Sequence, residues 1–151
     1  MRAYLVLAGA LVTAAWVGCD SGPKSGRGLR LPDGDIEKGK LAFVALKCNS
    51  CHGVHGVELP AAEKAEGAIV TLGGKVRKVR SYGELVTSIV NPSHELAKGY
   101  PEEKIAKEGK SLMVNFNDAM TVTQLLDLVA FLHSRYEKLE PDYTSHHYPY
   151  Y

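Results

Sequence analysis

The sequence predicts an all-α domain, and three segments carry that expectation. Ile36 to Lys47 looks helical, with Ile36, Leu41, Ala42, Ala45 and Leu46 loosely on one side. Tyr82 to Val90 reads as a second helix, ended by Asn91-Pro92 because the residue before a proline is pushed out of helical geometry. A third helix follows Thr121, with Leu125, Val129, Leu132, Tyr136 and Leu139 in a stripe at helical spacing. The chain of 151 residues has room for one modest domain with extensions at both ends. The expected layout is a secretory signal over 1–18, a flexible linker over 19–34, the domain over 35–140 and an aromatic tail over 141–151.

With 45% hydrophobic and 23% charged residues, the composition excludes collagen-like, disordered and multi-span membrane classes. A formal charge of +1 argues against a nucleic-acid partner. Loss of the first 18 residues would remove only Arg2 among the charges and leave a formally neutral chain.

Met1-Arg2 is a minimal positive start, and Ala3 to Val17 then runs almost uninterrupted in apolar and small residues. That is the form of a secretory signal, about fifteen residues being short for a spanning helix. The end of the run, Trp16-Val17-Gly18-Cys19, resembles a bacterial lipobox, with Trp16 where leucine is usual. The resemblance implies that Cys19 becomes the first mature residue and takes a diacylglycerol, whose several acyl chains would anchor the protein to a membrane. Asp20 resembles a signal for retention at the inner membrane. A cleaved signal with a soluble product and an uncleaved tether are the alternatives. Ser21 to Asp35, rich in Gly, Ser, Pro, Lys and Arg, reads as a flexible, slightly basic linker.

Cys48-Asn49-Ser50-Cys51-His52 fits C-x-x-C-H, the haem-attachment pattern. Two thiols three residues apart can each add to a haem vinyl group, and the following histidine is then aimed at the iron as proximal ligand. A thioredoxin-like pair would want a strand before the motif, where a helix is expected. Half a zinc site would want a second Cys or His pair at suitable spacing, which the other histidines do not supply. With Cys48 and Cys51 on haem and Cys19 on lipid, all three cysteines are accounted for.

The residues around the motif resemble the class I cytochromes c. Glu37-Lys38-Gly39-Lys40-Leu41-Ala42-Phe43 looks like the family's N-terminal helix, with Gly39 and Phe43 in the places of its glycine and aromatic. The resemblance, covering about Asp35 to Lys138, implies that a C-terminal helix around Asp127-Leu128-Val129-Ala130-Phe131-Leu132 crosses at Gly39. Without a side chain, glycine lets the two backbones approach. The implied fold is a cytochrome c domain whose first and last helices cross around one covalently bound haem c. The resemblance also implies a proline carbonyl on the second nitrogen of His52, and Pro60 is the nearest proline.

Class I cytochromes put a methionine on the far side of the iron, and Met113 and Met120 are the candidates. Thr121-Val122-Thr123-Gln124 fits a capping box, which makes Met120 the residue before the cap and Leu125 its hydrophobic-staple partner. Met113-Val114-Asn115-Phe116, which begins 61 residues after His52, resembles the family's Met-Pro-x-Phe loop with Val114 in place of proline. Met113 is therefore the favoured sixth ligand and Met120 the structural residue. His94 is the rival by ligand type. His55 is too near His52 to reach the opposite face, and His133 belongs to the last helix.

Leu72-Gly73-Gly74 reads as a turn, and Lys75-Val76-Arg77-Lys78-Val79-Arg80 as a short extended segment with one charged side. That side is either a solvated edge or a surface for haem propionates or an acidic partner. Arg80 and Tyr82 are candidates to touch a propionate, and Val54 to Gly67 is expected to loop around the haem edge. The tyrosine-rich tail with His146-His147 would grip the domain or a partner, or fray.

The expected function is one-electron transfer at the periplasmic face of a bacterial membrane, with the electron leaving near Cys48 and Cys51. The chain would act as a carrier or as an electron-transfer subunit of a respiratory complex, between donor and acceptor proteins. It would not be an enzyme in its own right. A haem-based sensor with a labile sixth ligand is one alternative. A peroxidase would demand a second haem or distal acid–base groups, and one C-x-x-C-H is present.

Overall fold

A computed structural model describes residues 30–139 apart from 64, 66 and 68. The signal segment, residues 19–29 of the linker (Cys19 among them), residue 140 and the tail lie outside the described residues. The first helix, α1 (Ile36–Ala45), begins where Asp35 caps it, its side chain accepting from the Lys38 N–H at 3.0 Å. The Asp35 N–H in turn donates to Oδ1 of Asp127 at 2.7 Å, which ties the start of α1 to the last helix.

The buried face of α1 is Gly39, Ala42 and Phe43, with Leu46 half-buried below them. Ile36 and Leu41 were expected on that side. They are instead 40% and 70% exposed; Leu41, two residues past the glycine that sets the contact line, points away from it.

The last helix, α4 (Val122–His133), starts with both halves of the expected capping box. Thr121 Oγ1 accepts from the Gln124 N–H at 3.2 Å, and the Thr121 N–H donates to Gln124 Oε1 at 2.9 Å. Asp127 to Leu132 are all buried, since α1 covers one side of α4 and α2 (Tyr82–Val90) another. The close approach expected at Gly39 is present. A Cβ there would lie 2.0 Å from the Asp127 carbonyl oxygen, and at Gly34 one would lie 2.2 Å from that of Leu126. Phe43 and Phe131 meet edge to face across the crossing, centroids 5.8 Å apart.

Helix α2 has the expected bounds, and a second capping box, Ser81 with Glu84, starts it. Leu85 and Ile89 turn inward to join Phe43, Leu128, Val129, Phe131 and Leu132 in the core. One turn of helix, α3 (Glu102–Ile105), completes the set. None of these helices is long and apolar enough to cross a membrane.

The expectation of an all-α domain needs correcting, because three short strand pairs link the helices. β1 (His52–Val54) pairs in parallel with β2 (Val70–Leu72), and β4 (Ala106–Lys107) forms a hairpin with β5 (Lys110–Ser111). β3 (Gly74–Val76) pairs in parallel with β6 (Tyr136–Lys138). Only the start of the basic segment is therefore strand. The stripe of the last helix also ends early: Tyr136 lies in β6, and Leu139 is 44% exposed. The Gly74 N–H donates to the Arg135 carbonyl at 2.8 Å and the Leu139 N–H to the Val76 carbonyl at 2.9 Å, so strand pairing replaces the next helical turn. The Leu72-Gly73-Gly74 turn makes this possible, since Gly73 takes φ 83° against the Arg135 backbone.

Candidate functional site

Helix α1 ends at Leu46, and Lys47 takes a left-handed conformation (φ 56°) with its N–H on the Val44 carbonyl. That reversal starts a single 3₁₀ turn over Cys48–Ser50, closed by the Cys51 N–H on the Cys48 carbonyl at 3.2 Å. Ser50 Oγ donates to the Lys47 carbonyl, and Asn49 Nδ2 to that of Pro60 at 3.0 Å. The two middle residues of the motif thus hold its backbone, while both cysteines face the same cleft as free thiols.

The cleft has a volume of about 290 Å³, and His52, Met113 and Met120 also line it. Its walls are mainly apolar: Leu72, Leu85, Ile89, Phe116, Leu128 and Leu132 all contribute. His55, His94 and His133 are absent from the described lining. His94 is exposed with Nδ1 on the Asn91 carbonyl, and His133 packs edge-on against Tyr82 at 4.8 Å. Arg80 reaches the lining and Tyr82 does not.

The partner of His52 differs from expectation. Its Nδ1 lies 3.2 Å from the carbonyl of Val70, not that of Pro60, whose oxygen is taken by Asn49. The register explains the exchange: β1 and β2 place Val70 opposite His52, and the Val70 N–H donates to the Cys51 carbonyl at 2.9 Å. Strand β2 therefore supports the motif from behind, a role that only the long-range pairing reveals. Burial lowers the His52 pKa, opposed by the Val70 bond, so the ring is neutral at physiological pH. With Nδ1–H given to the carbonyl, Nε2 keeps its lone pair, the form in which imidazole binds a metal. Burial likewise pushes the Cys48 thiol up to about 11, with the charge of Cys51 adding and a backbone hydrogen bond opposing.

The loop bearing Met113 is braced at several points. The Met113 N–H donates to Ser111 Oγ and the Ser111 N–H to Ser93 Oγ, both at 3.1 Å, while Asn117 Nδ2 holds the Val90 carbonyl at 3.0 Å. Met120 has its N–H on the Phe116 carbonyl at 2.9 Å and packs, with Leu125, against the core. Among the described residues no three His, Cys, Asp or Glu side chains gather as a metal set.

A family model described as Cytochrome c matches residues 36–135. The chain belongs to the cytochrome c family. No curated protein and no solved structure matches it. Cytochromes c bind haem c covalently and work in haem-based electron transfer, and Cys48 and Cys51 fit the C-x-x-C-H attachment motif. The residues present fit that group: two free thiols, a neutral imidazole and thioether side chains share one mainly apolar cleft. Sequence reading missed three contributions to this site of the cytochrome. They are the Val70 carbonyl, Glu95 and Lys104, none of which carries a local motif.

Proposed function

We propose that this cytochrome transfers single electrons through one haem c ligated by His52 and Met113. When bound, the haem supplies a one-electron iron couple. Cys48 and Cys51 hold it by thioether bonds, and His52, oriented by the Val70 carbonyl, offers Nε2 on the proximal side. Met113 offers a soft thioether that favours reduced iron and raises the potential relative to a bis-histidine site. The observation that carries this reading is the shared cleft of Cys48, Cys51, His52 and a thioether-bearing wall. Met113 is preferred over Met120 because the capping box and core packing already employ the segment around Met120.

The lipobox-like segment supports export and anchoring at the periplasmic face through an acylated Cys19, with the chain acting as a carrier or as a subunit of a respiratory complex. The absorption spectrum tests the ligand assignment. The sulfur-to-iron band at its red end is expected in wild type and in Met120→Ala, and lost in Met113→Ala. The reverse pattern overturns Met113. A wild type without the band that binds carbon monoxide readily is the sensor instead. An unmodified Cys19 in the mass of the mature N-terminal peptide excludes the anchor.

A further inference from the structure

The cleft wall has one charged sector. Arg80, Glu95 and Lys104 are the charged side chains among its described lining residues. Arg80 Nη1 donates to Glu95 Oε2 at 3.4 Å, and the other Glu95 oxygen lies 3.5 Å from Nζ of Lys98. The side chains of Arg80 and Glu95 are 42% and 40% exposed, so the pair stands at the mouth, between solvent and the apolar wall. The hydrogen bond and charge of Arg80, with Lys98 adding, hold the Glu95 carboxyl below the usual carboxylate range.

A haem brings two propionate carboxylates, and an anion placed against an apolar wall without a partner is costly. The guanidinium has five N–H donors in a planar fork, and Glu95 takes only one of them. We infer that Arg80 is a shared seat, gripping a haem propionate on the cleft side while Glu95 holds it from the rim, so that Glu95 is a positioning residue that ties the reduction potential to pH. This rests on the haem c assignment and not on the choice of sixth ligand.

Two carboxylates on one guanidinium repel each other and titrate as a coupled pair. Reduction adds one electron, lowers the local charge by one and increases the pair's affinity for a proton. The potential therefore falls as pH rises through the titration of the pair. Lys98 stands on the outer side, Lys104 on the wall, and the Lys78–Glu84 ion pair at the start of α2. Glu95→Gln removes a negative charge from the rim, whereas Arg80→Gln removes a positive one.

The test is potentiometric titration of the haem-loaded protein across the acid to neutral range. Glu95→Gln is expected to raise the potential at neutral pH and to flatten its acid-side slope, and Arg80→Gln to lower it. Opposite signs are the signature, since general loosening of the cleft would move both variants the same way. If Arg80→Gln fails to load haem, Arg80→Lys and the rim variant Glu95→Gln decide. A Glu95→Gln protein with a wild-type haem spectrum and a wild-type potential at every pH overturns the inference. A wild type that carries no haem overturns the haem assignment instead.

Discussion

A methyl group at position 39 would lie 2.0 Å from the carbonyl oxygen of Asp127 and 2.6 Å from Cβ of Phe131. Neither is the free end of a flexible side chain, so Gly39→Ala forces α1 and α4 apart. The expected cost is about 3 kcal/mol, at the upper end of overpacking effects. Gly83 is the control, being helical with open space around its Cα. Gly83→Ala is expected to stabilise by about 0.5 kcal/mol through helix propensity. Denaturant midpoints of the two haem-loaded variants check this, and equal behaviour would refute the close-crossing argument. Asp127 shows what residue-scale reading misses. A buried acid on a core helix looks like an error of pattern until its bond to the Asp35 N–H is seen.

Helix ends were the most legible elements, because a capping box is written in four consecutive residues. The Thr121 box and the Asn91-Pro92 stop could both be read directly. The strands could not. Each has two or three residues and owes its existence to a partner distant in sequence, as with Gly74 opposite Tyr136. The same blindness assigned the carbonyl behind His52 to Pro60 and the last turns of α4 to Tyr136 and Leu139. Of the site, Cys48, Cys51 and His52 are legible because their spacing is local, and Arg80 is a candidate from its segment, while Glu95 and Lys104 reach the cleft only through the fold. The box at α2 carries a pH prediction. Glu84 is held at about 2, first by its bond from Lys78 and then by the Ser81 N–H, against 4.5 ordinarily. Between those values the unfolded chain binds more protons, so stability rises with pH across the window and is lost as pH falls toward 2. Glu84→Gln should thus be less stable than wild type near neutral pH, with the gap closing as pH falls through the window. Thermal melts at stepped pH measure it, and a gap independent of pH would contradict the assignment.

On the scale of the whole molecule, core and cleft are the same structure. Phe43, Leu85, Ile89, Leu128 and Leu132 belong to the hydrophobic cluster and also wall the cleft. A bound haem would therefore complete the core rather than sit beside it, and its loss would leave these side chains facing water. The double variant Cys48→Ser/Cys51→Ser should lose its near-ultraviolet dichroism and its cooperative melt while keeping part of its helix signal. A double variant that melts like the wild type would show that the fold stands without covalent attachment.

The backbone before α1 meets α4 twice ahead of the cysteines, at Gly34 against Leu126 and through the Asp35 to Asp127 bond. In mechanical terms this is a strain relief. A pull on the chain ahead of Gly34 would meet the α1–α4 crossing before the 3₁₀ turn at Cys48. The cofactor's cradle lies beyond that crossing along the chain.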